Sequence, residues 1–449
     1  MSVSTPTLPP GPRLPRLLQT AGFMLGGVRF LEACRRRYGD MVTMSTLFDN
    51  GFVMVFDPTV VKELFQGPGE QLHAGEANAL LGPILGDRSV LLLDGAEHLR
   101  HRRLLLPPFH GQRMQAYVDA MREAADLEID SWPVGAPFTL LGRMQAITLR
   151  VIIRAVFGYE AGPAADELSR RLRAMIDPIS RPRGLVLLSA LDRFGGGKRT
   201  VRRFEAQRLA VDELLYAEIA ARRADPDLAE RSDVFSALLL AEDESGGHLS
   251  DREVRDELLT LLLAGHETTA TGLAWTFDLL LHTPPVLARA TEGDDEYLDA
   301  VVKEALRLRP VIPGVGRVVR GEPFRLGGYE IPVGMEINPS IRVIHRRGDL
   351  YPQPSEFRPE RFLGPDAPDT YTWIPFGGGT RRCLGASFAL LEMRIVLRRV
   401  LERAALAPAE AGLEPVSFRG ITLAPKNGVR VVLERAPAAA PATVAAAAA

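Results

Sequence analysis

The sequence predicts a mainly α-helical protein with small β-sheets, an α+β class in which helix dominates. Three observations carry that expectation. One unbroken helical pattern runs from Ser250 to His282, and its middle is almost wholly apolar. Further helix-period segments fill much of the remaining middle, among them Phe204 to Ala224 and Ser232 to Glu242. Strand-like pieces are short and lie toward the two ends of the chain.

The long helix is the best defined element. Ser250 and Glu253 form a capping box at its start. Pro284-Pro285 supplies the stop. At 1.5 Å per residue it is about 45–50 Å long, and a helix apolar over Leu258 to Ala264 threads a core. Strands are expected at Met41 to Met44, Val53 to Phe56 and Val429 to Leu433. Phe324 to Ile337 is also strand-like, and the GGYEIPVG within it reads as a hairpin turn.

The chain has 449 residues, of which 46% are hydrophobic and 24% charged, enough to bury a large core. No repeat and no linker divides it. We expect one domain over residues 17–435, after a flexible Pro-rich segment (1–16) and before a disordered Ala/Pro tail (436–449). The formal net charge of −2 argues against a nucleic-acid partner. There is no basic-then-apolar leader, and no run reaches the about 18 apolar residues of a spanning helix. The expected location is cytoplasmic, without membrane insertion. Two cysteines, Cys34 and Cys383, are too few for a disulfide framework. Cys34 reads as ordinary packing.

Three groups of residues call for chemistry. In IPFGGGTRRCLGASFALLEMR, three glycines precede Cys383, Gly385 follows it, and a helical pattern comes next. The sulfur thus sits near a helix N-terminus, which favours a thiolate. These features leave open a nucleophile, a metal ligand or an inert buried thiol. Arg381 is placed to hold a carboxylate in a forked pair. In AGHETT, Glu267 and Thr268 interrupt the apolar helix, where burying a charge is expensive. The Thr268 hydroxyl can bond back to the Ala264 carbonyl. The alternative is that this face of the helix meets water. In EALR, Glu304 and Arg307 share one helix face, with PERF downstream; taken alone this is a common surface pair.

Together these residues resemble the cytochrome P450 family over nearly the whole chain. Phe376, Gly379, Arg381, Cys383 and Gly385 fall at the family's spacing around its haem ligand. AGHETT resembles the oxygen-binding groove, and Glu304, Arg307 and Arg361 resemble the buried structural triad. The resemblance implies the cytochrome P450 fold, with its long central helix over a haem b held by the Cys383 thiolate. It implies that His98, Arg102, Arg317 and Arg381 hold the haem propionates, although Arg320 lies close to Arg317. Ala264, Gly265, Phe376, Gly377 and Gly385 would also contact the haem. Glu267 and Thr268 would deliver protons.

The implied activity is a monooxygenase that inserts one atom of O2 into a C–H bond by hydroxylation or epoxidation. No flavin or iron–sulfur segment is evident, so electrons would come from a separate ferredoxin or flavodoxin with its NAD(P)H reductase. Arg100, Arg102, Arg103, Arg382, Arg394, Arg398 and Arg399 would form its docking face. By the same analogy Leu72 to Leu93 forms a lid, and Val311 to Gly316 with Gly420 to Thr422 lines the pocket. These are mostly aliphatic, which suggests a lipophilic substrate such as a terpenoid, steroid, fatty acid or macrocyclic natural product. Two rivals are a hydrogen-peroxide-driven peroxygenase and a non-enzymatic haem-binding protein. The retained Glu267 and Thr268 argue against both.

Overall fold

A computed structural model describes residues 8–436 of this chain, other than 48, 50, 110–113, 116, 160–161 and 181–197. The central helix spans Asp251–Leu281. The Ser250 hydroxyl accepts from the Glu253 N–H, and the Glu253 carboxylate accepts from the Ser250 N–H at 2.7 Å. The helix ends at His282 before the prolines are reached. Pro284 instead opens the next helix, Pro284–Glu292, because proline fits a first turn where no N–H is required.

Most of the central helix is buried, and the helix Leu140–Phe157 lies along it. Gly265 marks the close approach: a Cβ there would sit 2.8 Å from Ile152 Cδ1. The expected segments near 204–224 and 232–242 form the helices Lys198–Arg223 and Val234–Leu240. The helix Ala386–Arg403 crosses the central helix where Met393 meets Gly272.

The sheets are small. The largest has five strands in the order Met41–Met44, Phe52–Val55, Glu336–Pro339, Arg317–Val319, Leu72–His73. It therefore joins the start of the chain to a segment some 280 positions later, with Val53 opposite Ile337. The strand-like run from Phe324 to Ile337 splits in two. Phe324–Leu326 and Tyr329–Ile331 form a hairpin, while Glu336–Pro339 joins the main sheet parallel to Phe52–Val55. The split follows from Gly334, at φ +86°, which turns the chain between them. Arg430–Leu433 pairs with Pro137–Thr139 and Leu406–Pro408.

The Pro-rich start is less loose than the sequence suggests. Thr43 donates its N–H to the Pro10 carbonyl and its hydroxyl to the Pro9 carbonyl, at 3.1 and 2.7 Å. Proline carbonyls remain acceptors even though the ring nitrogen cannot donate. Residues 1–7 and the tail from 437 lie outside the described residues.

The helix Asp295–Leu308 carries a fully buried ion pair. Arg307 Nε and Nη2 meet the Glu304 carboxylate at 2.6 and 2.8 Å. Arg307 also donates to the carbonyls of His345, Pro354 and Glu356. Glu304 accepts from Arg361 Nε at 3.3 Å and from the Arg358 N–H at 2.9 Å. The EALR and PERF residues are thus an interior knot rather than a surface pair. Removing one partner strands a buried charge, so Arg307→Met is expected to destabilise the fold by about 3–5 kcal/mol. Urea unfolding checks this, and a loss below about 1 kcal/mol would contradict the knot's role.

Candidate functional site

The loop before Cys383 lies on the end of the helix Pro58–Gln66. A Cβ on Gly378 would strike the Phe65 ring at 2.2 Å, and one on Gly379 would strike the Phe65 carbonyl at 2.0 Å. Gly377 and Gly379 also take φ of +66° and +63°, the left-handed region. Only glycine satisfies both demands. The Cys383 N–H donates to the Phe376 carbonyl at 2.9 Å, and Gly385 caps the helix that follows. The Phe376 ring stands edge-on to Trp373, whose indole N–H is fixed on the Lys303 carbonyl.

Cys383 is accessible, although burial is the main influence on its thiol. A side chain both deep and accessible faces an internal hollow. Burial raises its pKa, while the Gly385 N–H, Arg102 and Arg382 pull it down. The expected thiolate preference at the helix start is therefore outweighed by desolvation in the protein alone. The central helix shows the same feature. Leu261, Ala264, Gly265 and Thr268 form an accessible stripe at helical spacing among mostly buried neighbours, and Ala264 is exposed. From the Gly272–Met393 crossing, one helix leads back to this stripe and the other back to Cys383.

Three guanidiniums gather on one side. His98 is held neutral, its pKa pushed down to about 3 by burial and then by Arg381, Arg102 and Arg317. Arg317 and Arg381 are each lowered to about 10, mainly by burial. One carboxylate answers them: Asp94, at 2.5 Å from Arg381 Nη2. That contact uses a single nitrogen, so it is not the forked pair the sequence suggests. The His98 ring and the Arg102 guanidinium have no hydrogen-bond partner among the described residues. Arg317, not Arg320, joins this cluster; Arg320 pairs with Glu76. Desolvated cations in excess of anions fit an anionic group bearing more than one carboxylate. With the sulfur and the stripe of small residues, the hollow fits a haem.

On the central helix, the Thr268 hydroxyl donates to the Ala264 carbonyl at 2.6 Å, as its spacing predicts. Glu267 is buried, and Gln145 of the helix Leu140–Phe157 donates its amide N–H to Glu267 Oε2 at 2.8 Å. Thr148, one turn on, donates to the His266 carbonyl at 3.0 Å. The His266–Glu267 side is therefore packed against a second helix, while Ala264 and Thr268 lie on the accessible stripe.

The segment from Leu72 to Leu93 is fastened at both ends. Asp94 accepts from the Gly75 and Glu76 N–H groups. On the central helix, Asp256 accepts from the Arg88 N–H, Glu257 accepts from the Val90 N–H, and Thr260 donates to the Ser89 hydroxyl. His101 lies 2.7 Å from the same Glu257 oxygen. Asp94, Gln145 and Glu257 were not legible as site residues, because each acts on a partner far away in sequence.

The expected docking arginines are mostly engaged within the chain. Arg100 pairs with Asp243 and Glu253, and Arg103 with Glu244. Arg394 pairs with Asp299, Arg398 with Asp295, and Arg399 with Asp126. Arg102 is half-buried, close enough to Cys383 to feel its charge. Of the seven, only Arg382 is an exposed cation without a carboxylate partner among the described residues. A broad positive face is thus largely neutralised by neighbouring acids.

The chain matches the cytochrome P450 family model over residues 6–429. It is 41% identical to the putative cytochrome P450 135B1 of Mycobacterium tuberculosis over 435 residues, covering 94% of this chain and 91% of that protein. It is likewise 41% identical to the putative cytochrome P450 135A1 of the same organism, covering 96% of each. Among solved structures, the cytochrome P450DA heme domain superposes with a TM-score of 0.79 at 25% identity, covering 96% of this chain and 98% of that one. The retinoic-acid-bound cyanobacterial CYP120A1 gives 0.78 at 22%, covering 96% and 99%, which supports the fold.

The loop is anchored at its start by His345, which is fully buried, with Nε2 accepting the Ile374 N–H at 2.9 Å. Burial, then Arg307, push its pKa down to about 3. The unfolded chain therefore takes up a proton near pH 6.5 that the folded one refuses. The stability contribution is intact above about pH 6.5 and is lost progressively toward pH 3. His345→Gln is expected to lower stability at pH 7 but to flatten the acid slope between pH 6 and 4 by about 1.4 kcal/mol per pH unit. Urea unfolding at a series of pH values checks it, and an unchanged slope would refute a neutral His345.

Proposed function

The chain belongs to the cytochrome P450 family and is a haem monooxygenase, and from this we propose that it inserts one atom of O2 into a C–H bond of a lipophilic small molecule. The observation that carries this reading is an accessible sulfur deep in the core, beside three cations balanced by one carboxylate. When bound, a haem b with the Cys383 thiolate on its iron supplies the activation of O2 and the oxygen transfer.

The residues around the hollow divide the remaining work. Cys383 offers its sulfur, steadied by the Gly385 N–H. Arg102, Arg317 and Arg381 would hold the two propionates, and His98, kept neutral, would add a hydrogen bond. Asp94 fixes Arg381 without cancelling the whole cluster. Ala264 and Gly265 leave room at the helix face, and Phe376 with Gly377 closes the sulfur side.

Proton delivery falls to Thr268 and Glu267. Thr268 spends its own hydrogen on the Ala264 carbonyl, so Oγ1 turns its lone pairs to the hollow. There it can orient a water that carries a proton. Glu267 supplies that proton from a position set by the Gln145 amide. The aliphatic character of the segments 72–93 and 311–316 suits a terpenoid, steroid, fatty acid or macrocycle. Electrons come from a separate ferredoxin or flavodoxin, and Arg382 is the cation available to meet its acidic surface.

The ligand is tested by the reduced carbon monoxide difference spectrum. The parent is expected to give the thiolate-type band and Cys383→Ser to lose it. A histidine-type spectrum in the parent would overturn the assignment. Proton delivery is tested on a substrate found by spin-state screening. Thr268→Ala should keep consuming NAD(P)H while product falls by about tenfold or more. Gln145→Leu should lower product per electron and shift the pH profile, and Gln145→Asn should recover part of it. Unchanged coupling in Thr268→Ala would remove that residue from proton delivery.

A further inference from the structure

The short helix Arg16–Ala21 is built inside out. Its buried residues are the polar ones, Gln19 and Thr20. Gln19 Nε2 donates to the Pro12 and Leu14 carbonyls, and its Oε1 accepts from the Ser45 N–H at 2.9 Å. The Thr20 hydroxyl donates to the Arg16 carbonyl and accepts from the Leu47 N–H at 3.0 Å. These bonds satisfy the inward side completely. The outward side carries Leu17 and Leu18, 63% and 52% exposed. The π turn Gly22–Gly26 then presents Met24 and Leu25, the latter 81% exposed. Leu14 precedes the helix, and Leu47 is brought beside it by the Thr20 bond. Among the described residues, a third of the exposed large apolar side chains thus project from one corner of the protein.

The charge at this corner is predominantly positive. The chain holds Arg13, Arg16 and Arg29 before its first carboxylate, Glu32. All three arginines are exposed. Asp49, in the loop beside Leu47, is occupied by Thr46 and the Gly51 N–H. We propose that this N-terminal corner, Leu14 to Arg29 with Leu47, docks on an anionic lipid surface.

Leucines projecting among arginines, with no acid between them, match an interfacial element whose apolar side enters the acyl boundary. The long arginine stems reach back to the headgroups. A second copy of the chain would bring three arginines against three, with Asp49, already engaged by Thr46 and the Gly51 N–H, as the carboxylate nearest to them in the loop beside Leu47. No helix among the described residues is long and apolar enough to cross a membrane, and surface attachment needs none. The proposal rests on no part of the catalytic reading.

The test uses the full-length, haem-loaded protein sedimented with vesicles. One set is phosphatidylcholine alone and the other contains phosphatidylglycerol. Binding is expected to the anionic set and to weaken in about 0.5 M salt, where screening is short-ranged. Leu17→Ser combined with Leu25→Ser should reduce partitioning by about tenfold or more. Both positions are exposed, so thermal midpoint and haem spectrum should be unchanged. Arg13→Gln with Arg16→Gln should erase the preference for the anionic lipid. The proposal is overturned if neither vesicle binds the parent, or if the leucine variant binds as the parent does. It is equally overturned if the parent is a dimer that the leucine variant dissociates, or if an acidic partner protein, and no vesicle, occupies the corner.

Discussion

The buried pair of Glu304 and Arg307 sets the position of the reactive sulfur. Its five neighbouring contacts draw residues 345, 354, 356, 358 and 361 onto one helix face. His345, whose carbonyl Arg307 holds, in turn accepts the Ile374 N–H. Ile374 begins the loop that ends at Cys383. The chain of bonds thus runs from a fully desolvated ion pair, through a neutral imidazole, to the loop beneath the hollow. A buried ion pair adds little net stability over an apolar replacement, but it tolerates no alternative partner. Its value here is geometric. It fixes a stretch that is irregular from Arg346 to Arg358, between a helix end at His345 and the 3₁₀ turn Pro359–Phe362.

The hollow itself is defined by what is left unbalanced. Protein interiors pair their charges, and five of the seven arginines expected on the docking face are likewise paired with acids. Around His98 the rule is suspended: burial lowers the pKa of three neighbouring guanidiniums, and Asp94 answers only part of their charge. Such an arrangement is costly in the protein alone and becomes favourable when carboxylates of a bound group enter. The same logic holds for Cys383, whose thiol is raised by burial until a metal ion is there to take the proton's place.

The surface shows the reverse exchange. In the interior, polar groups are tolerated because each finds a partner. In the Arg16–Ala21 helix, Gln19 and Thr20 find so many backbone partners that they displace leucines from the inward face. Local hydrogen bonding thereby decides which side of a short helix meets the surroundings, against the usual apolar-in preference.

What the sequence by itself determined lies within one turn of helix or one loop. The Ser250–Glu253 cap, the Thr268–Ala264 bond and the Glu304–Arg307 pair are separated by three or four residues, so helical geometry alone brings them together. The glycines before Cys383 likewise announce a loop that only glycine can follow. What only the tertiary structure decided is which distant partners meet. Gln145 reaches Glu267 across 122 positions, and Asp94 reaches Arg381 across 287. Arg317 rather than Arg320 faces the hollow because strand register alternates sides, and the supposed docking arginines are quenched by acids from other helices. No local spacing encodes those contacts; they exist because the packing of helices and sheet buries one side of each element and leaves the other free.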